Sequence, residues 1–198
     1  MIVVDCEMSG VNPLKNGIVQ IGAVEIENPS NHFYIECRID DDQEVNQSSA
    51  AFIEMSEEDM RDANKVSIKE ALEAFMAWAL KINDRTLVVH VFMDIMFFEI
   101  ACRKYQLDFL STFGYHFVEL HSIAYAHYVQ HGYEIPNKNG LTYLRSSQIA
   151  RFVGIPEEPK PHNALAGALY EGESFYRLVY KRNLFPEFSE FPLPEYLQ

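Results

Sequence analysis

Cysteine is scarce in this sequence. Cys6, Cys37 and Cys102 are the only three among 198 residues, widely spaced and without a C-x-x-C pair. That excludes a disulfide framework or a cysteine zinc site as the organising device. It points to reduced thiols, used as small buried apolar side chains in a cytoplasmic protein. Positive charge is short as well: 16 Lys and Arg against 29 Asp and Glu leave a formal net charge of −13. That argues against a broad cationic face for long duplex nucleic acid, whereas a short single strand or a nucleotide bound through metal ions fits, and most acids outside the site read as a solubility feature. No apolar run approaches the ~20 residues of a membrane span, so no membrane association is expected. Met1-Ile2 runs straight into a strand pattern, and no leader is expected. The phosphate-binding glycine motifs and the Gly-x-Ser-x-Gly elbow are missing, and the histidines show no zinc spacing.

What is present begins at once. Ile2-Val3-Val4-Asp5-Cys6-Glu7-Met8-Ser9-Gly10 reads as an apolar strand carrying two acids at its end. Alternate strand residues share a face, so Asp5 and Glu7 project together and Cys6 opposes them. Two carboxylates side by side repel, and a hard divalent cation with a preference for oxygen would relieve them. A solvated strand end is the plainer reading of the pair taken alone.

Ile18 to Glu27 and His32 to Ile39 are further strands, joined by short turns into an antiparallel meander. Asp40 to Ala50 reads as a surface loop. Ser56 caps a short helix, and Ser67 to Leu80 is amphipathic with helical spacing. Thr86 to Val91 is a fourth strand, followed by a helix from Asp94 to Tyr105. Tyr115 to Leu120 is a fifth, followed by a helix over 122–129. Gln130 to Gly140 is a loop, Leu141 to Val153 a helix, Glu157 to Pro161 an exposed linker, and His162 to Tyr180 a long helix. This order describes an α/β fold with a mixed five-stranded sheet flanked by helices. Strands four and five run parallel to the first, and ligands gather where such connections diverge. Residues 1–182 form the domain. The tail, 183–198, mixes three prolines with large apolar residues and is expected to dock on the domain or on a partner, which suggests a homodimer.

Three further residues carry chemistry by position. Asp94 follows the fourth strand, so its end falls near Asp5 and Glu7; as a first-turn acid it is equally a helix device. His162 opens the last helix after a Pro-rich junction, where an imidazole suits a general base, or is a plain surface histidine. His90 lies inside strand four, either lining the site or satisfied in the core.

Together these residues resemble the DEDDh 3′–5′ exonucleases, the ribonuclease H-like group that includes RNase T and the proofreading subunit of DNA polymerase III. The likeness runs to about Tyr180. Its motifs are Val4-Asp5-Cys6-Glu7-Met8-Ser9-Gly10 with Ile18-Val19-Gln20-Ile21-Gly22, then Leu87 to Asp94 with Phe97-Phe98, then Pro161-His162-Asn163-Ala164-Leu165-Ala166-Gly167. The second motif lacks the Asn that often follows its His. The third departs more: the family places an Asp five residues after the His, and Gly167 stands there. A natural change with a compensating acid, a natural inactivating change and an engineered one all fit. Glu171, one turn beyond on the same helix face, is the best substitute, though an ordinary solvated helix acid is the plainer reading.

The resemblance implies a ribonuclease H-like fold and hydrolysis of single-stranded or short nucleic acid, or nucleotides, from the 3′ end. It implies two divalent cations, Mg²⁺ or Mn²⁺, held by Asp5, Glu7 and Asp94, with Glu171 as candidate fourth ligand. His162 would be the proton acceptor. Met8, Ser9, Gly10 and His90 would touch the terminal nucleotide, with Phe92, Phe97 or Phe98 as a stacking surface. The alternative is a catalytically impaired nucleic-acid or nucleotide binding module on the same fold, for which Gly167 is the argument.

Overall fold

The computed structural model describes residues 1–198. Its centre is β1 (Ile2–Met8), paired antiparallel with β2 (Ile18–Glu25) and parallel with β5 (Leu87–Val89). β3 (His32–Arg38) pairs antiparallel with β2. β6 (Val118–Glu119) pairs parallel with β5 at one edge, and β4 (Val66–Ser67) pairs parallel with β3 at the other. The sheet is therefore six-stranded, in the order β4-β3-β2-β1-β5-β6, one more strand than the sequence pattern predicts. The extra strand has only two residues, too few for an alternating pattern to register.

The alternation of β1 divides the molecule. Ile2, Val4 and Cys6 join a core with α3 (Ile68–Ala79), α4 (Phe92–Lys104) and α5 (Phe109–Phe113). Val3 joins the opposite core with α6 (Leu120–Gln130), α7 (Ser146–Phe152) and α8 (Ala164–Tyr180). Asp5 and Glu7, in step with Val3, face the α8 side.

Helix starts follow their caps. Ser56 and Asp59 form a capping box at α2 (Glu57–Met60), and Ser67 and Glu70 form another at α3. The expected surface loop before Ala50 contains the start of α1 (Gln47–Phe52), capped by Asn46. The helix expected from Leu141 is shorter. Residues 137–142 form a hairpin of β7 (Asn137–Lys138) and β8 (Leu141–Thr142) instead. Asn139 and Gly140 both have positive φ, the turn geometry that a two-residue hairpin favours, so the Asn-Gly pair outweighs helix propensity there.

Residues 183–198 run back over the α6–α8 core, where Phe185, Phe188 and Leu197 are buried. Arg177, fully buried, donates to the carbonyls of Val153, Phe188 and Phe191 and pairs with Glu173 at 2.7 Å. Glu173 in turn accepts from the backbone N–H groups of Leu184 and Phe185.

Candidate active site

The N-terminus of α8 sits directly on the sheet. A Cβ at Gly22 would overlap the Ala164 carbonyl, so glycine permits this backbone approach. Gln20 accepts from the Ala164 N–H at 3.1 Å, and Asn163 caps the helix while donating to the Tyr34 hydroxyl at 2.9 Å. This seating brings His162, Gly167 and Glu171 against the end of β1. β1 itself is irregular there, its register shifting between Glu7 and Met8, a device that re-aims side chains at strand ends.

Asp94 lies in the first turn of α4, buried, and accepts from the Cys6 backbone N–H at 3.4 Å and from the Cys6 thiol at 3.2 Å. Glu171 is buried, and its Oε2 has no hydrogen-bond partner. The Asp5 carboxylate occupies the space that any side chain at 167 would enter.

Electrostatics ties these groups together. Burial, and then the charges of Glu171, Asp94, Glu7 and Glu158, push Asp5 well above the ordinary carboxylate range. Burial, then Asp94, Glu158 and Glu7, does the same to Glu171. Glu7 is raised to about 7 by burial and then by Glu158 and Asp94. Asp94 is raised to about 6 by burial, against the lowering effect of its bonds from Cys6. Buried carboxylates that raise one another in this way would be relieved by a compensating cation.

Glu158 is the member that the sequence reading missed. The linker around it is exposed as expected, but the Glu158 side chain is only 12% accessible. Its Oε2 lies 3.0 Å from His162 Nδ1, and its Oε1 accepts from the Asn163 N–H at 3.3 Å. Burial raises its pKa, offset in part by His162. Phe52 is the second omission. Its ring stacks on the His162 imidazole, with centroids 4.0 Å apart and planes at 18°. No sequence pattern marks either residue: Phe52 comes from a segment distant in the chain, and Glu158, four residues before His162, lies just outside the motif.

Two openings meet at Phe52. A cleft of about 220 Å³ is lined by His162, Gly167 and Glu171 together with Arg145, Ser146 and Lys160. A groove of about 500 Å³ is lined by Glu7, Met8 and Gly10 with Asn46, Ser48 and Ser49. Ser9 does not face either. It is fully buried, donating to the Glu44 carbonyl and accepting from the Gly17 N–H, so its hydroxyl is occupied by the turn. Phe97 and Phe98 are core residues rather than a stacking surface, and Phe92 stacks on Phe117. His90 is pressed down to about 4 by burial, with its Nε2 unpartnered rather than satisfied.

The donor set suits a hard divalent cation: all-oxygen, anionic, mutually repelling, with one buried carboxylate oxygen unpartnered. As they stand, no three His, Cys, Asp or Glu side chains converge as ready ligands around one point.

Comparison with known proteins bears on the fold and the family. Among curated proteins, none matches the chain by sequence. The nuclease domain of 3′hExo, described as a DEDDh family member bound to rAMP, matches in structure with a TM-score of 0.65 at 12% identity, over 98% of this chain and 95% of that one. Cell-death related nuclease 4 (CRN-4) matches with a TM-score of 0.71 at 12% identity, over 92% of this chain and 64% of that one. E. coli exonuclease I in complex with a dT13 oligonucleotide matches with a TM-score of 0.67 at 14% identity, over 89% and 40%. The chain thus spans less than two thirds of CRN-4 and two fifths of exonuclease I. At such identities the likeness establishes the shared ribonuclease H-like fold. The RNase T-type exonuclease family model matches residues 2–169, and this chain belongs to that family.

Proposed function

We propose that this protein is a metal-dependent 3′–5′ exonuclease acting on single-stranded or short nucleic acid. The observation that carries the reading is the set of Asp5, Glu7, Asp94 and Glu171 carboxylates, drawn from β1, the first turn of α4 and α8, each raised in pKa by burial and, for Asp5, Glu7 and Glu171, by acidic neighbours. These four would hold two divalent cations, Mg²⁺ or Mn²⁺, with Glu171 supplying the acid that Gly167 does not. Bound cations would polarise the phosphodiester and lower the pKa of a water.

The chain's own residues supply the rest. With Glu158 ionised, His162 donates from Nδ1 to Glu158 Oε2, which leaves Nε2 free to take the proton of the attacking water. The Phe52 ring fixes the imidazole plane. Met8 and the Gly10 backbone line the groove where a terminal nucleotide would sit. We assign the exonuclease domain to 1–182, with 183–198 as a docked extension. A cytoplasmic location and a homodimer remain compatible proposals.

A second reading is a binding module without turnover. Gly167 and the lack of an already converged ligand set favour it. One experiment separates the two: release of mononucleotides from a 3′-labelled single strand with Mg²⁺ or Mn²⁺, alongside strand binding. Release that requires the cation supports the exonuclease; binding with no release supports the module.

A further inference from the structure

We infer that Lys138, Arg145 and Lys160 form a phosphate-binding rim, which grips the backbone of a single strand upstream of the 3′ end at the catalytic cleft. The inference rests on the exonuclease reading for its direction, and on an independent observation for its location. In a chain of net charge −13, most cations would be expected beside carboxylates. Eight of the sixteen are, in ion pairs spread over the surface and interior. Of the cations without such a partner, three gather at one place. Arg145 and Lys160 line the cleft that holds His162 and Glu171. Lys138 and Arg145 lie over the same Tyr143 ring, Lys138 Nζ and Arg145 Cζ each 4.9 Å from its centroid.

The positions are built rather than incidental. Lys138 stands on the β7–β8 hairpin, whose two-residue Asn139–Gly140 turn fixes its register opposite Leu141. Thr142 ties the hairpin to α6 through His121 Nε2 at 3.4 Å. Cations stacked on an aromatic ring keep their charge while losing side-chain freedom, which lowers the entropy cost of holding an anion. The adjacent centre is strongly anionic, so a polyanionic strand needs a cationic approach beside it. The hydroxyls of Ser146 and Ser147 line the same cleft and offer uncharged donors to phosphate oxygens. The ligand class is the phosphodiester backbone, read without regard to base.

The test is fluorescence anisotropy of a 5′-fluorescein oligothymidylate in buffer with Ca²⁺, measured over rising potassium chloride. Wild type is compared with K138Q/R145Q/K160Q and with K81Q/K181Q/R182Q, which removes the same charge from unpaired cations elsewhere. The rim variant is expected to bind at least about 10-fold more weakly, and its slope of log affinity against log salt to fall by about 2, from three contacts at roughly 0.7 each. The control variant is expected to keep the wild-type affinity and slope. Equal losses in both variants, no loss in the rim variant, or no strand binding by wild type would each overturn the rim. Turnover by wild type is read in parallel. Binding with the expected slope but no nucleotide release supports the rim while rejecting the exonuclease reading. Release without rim-dependent binding does the reverse.

Discussion

The Asp5 carboxylate fills the space beside the Gly167 Cα. A Cβ added at 167 would overlap Asp5 Oδ2 and crowd its Cγ. The position where the family places an acid is therefore small here, and the Asp5 carboxylate occupies the space a side chain would enter. Gly167→Ala is expected to leave the fold intact, because the atom displaced is the tip of a side chain. It should displace Asp5 and lower kcat by about tenfold or more, about 1.4 kcal/mol of barrier. Wild-type kcat in this variant, measured on a single-stranded substrate, would show that Asp5 does not need that space.

Glu171 takes on the vacated role in this account. Its Oε2 is buried and unpartnered, an expensive state unless something charged is to meet it. Glu171→Gln removes the charge at nearly constant shape. Nucleotide release is expected to fall by about 100-fold, about 2.7 kcal/mol. In cation-free buffer the same change should stabilise the protein, since it relieves Asp5. A thermal melt that moves downward would contradict the second half.

Glu158 acts through His162 rather than on substrate. Glu158→Ala is expected to lower kcat by about 10- to 100-fold with little change in KM, as losing an orienting partner does. Glu158→Gln keeps an acceptor for Nδ1–H and should recover part of the loss. Equal effects of the two variants would argue that the charge of Glu158, not its hold on the ring, matters.

The acid cluster also sets a pH dependence. Carboxylates whose folded pKa is raised bind more protons when folded than when unfolded, so their favourable contribution is present at low pH. It is lost as pH rises through about 6 for Asp94 and about 7 for Glu7. The cation-free melting temperature should therefore fall between about pH 5 and about pH 8 from this cluster. Added Mg²⁺ should raise it more at the higher pH, where protons no longer compete. An Mg²⁺ effect of equal size at both pH values would contradict this.

The tail is held by a buried ion pair. Arg177→Met removes the guanidinium that joins Glu173, Val153, Phe188 and Phe191, and leaves the Glu173 charge enclosed. Urea unfolding should show a loss of about 3–5 kcal/mol. A loss under about 1 kcal/mol would mean that the tail contributes little to the α6–α8 core.

Much of this architecture could be read from residue order. The alternation of Ile2 to Met8 predicted a strand with both acids on one side, and the strand–helix alternation after Thr86 predicted parallel pairing with β1. Helical spacing over Ser67 to Leu80 located α3, and Ser56 as a cap located α2. The short strands β4, β7 and β8 escaped, since two residues make no period. Glu158 and Phe52 escaped for a different reason. Both lie outside the motif that carries His162, and only tertiary packing brings the Phe52 ring and the Glu158 carboxylate against its imidazole. Ser9 stands at a motif position that implies a ligand contact, while the turn beside it takes both hydrogen bonds of its hydroxyl, which no sequence pattern shows.

The central claim is that these carboxylates gather to hold divalent cations, with Glu171 in place of an acid at 167. Calorimetric titration of Mn²⁺ into wild type and Glu171→Gln at about pH 8, above the values of about 6 for Asp94 and about 7 for Glu7, tests it most directly. The account predicts saturable binding by wild type and a loss of at least about tenfold in affinity, or of one site, in the variant. Absence of Mn²⁺ binding by wild type, or identical isotherms for the two proteins, would contradict it.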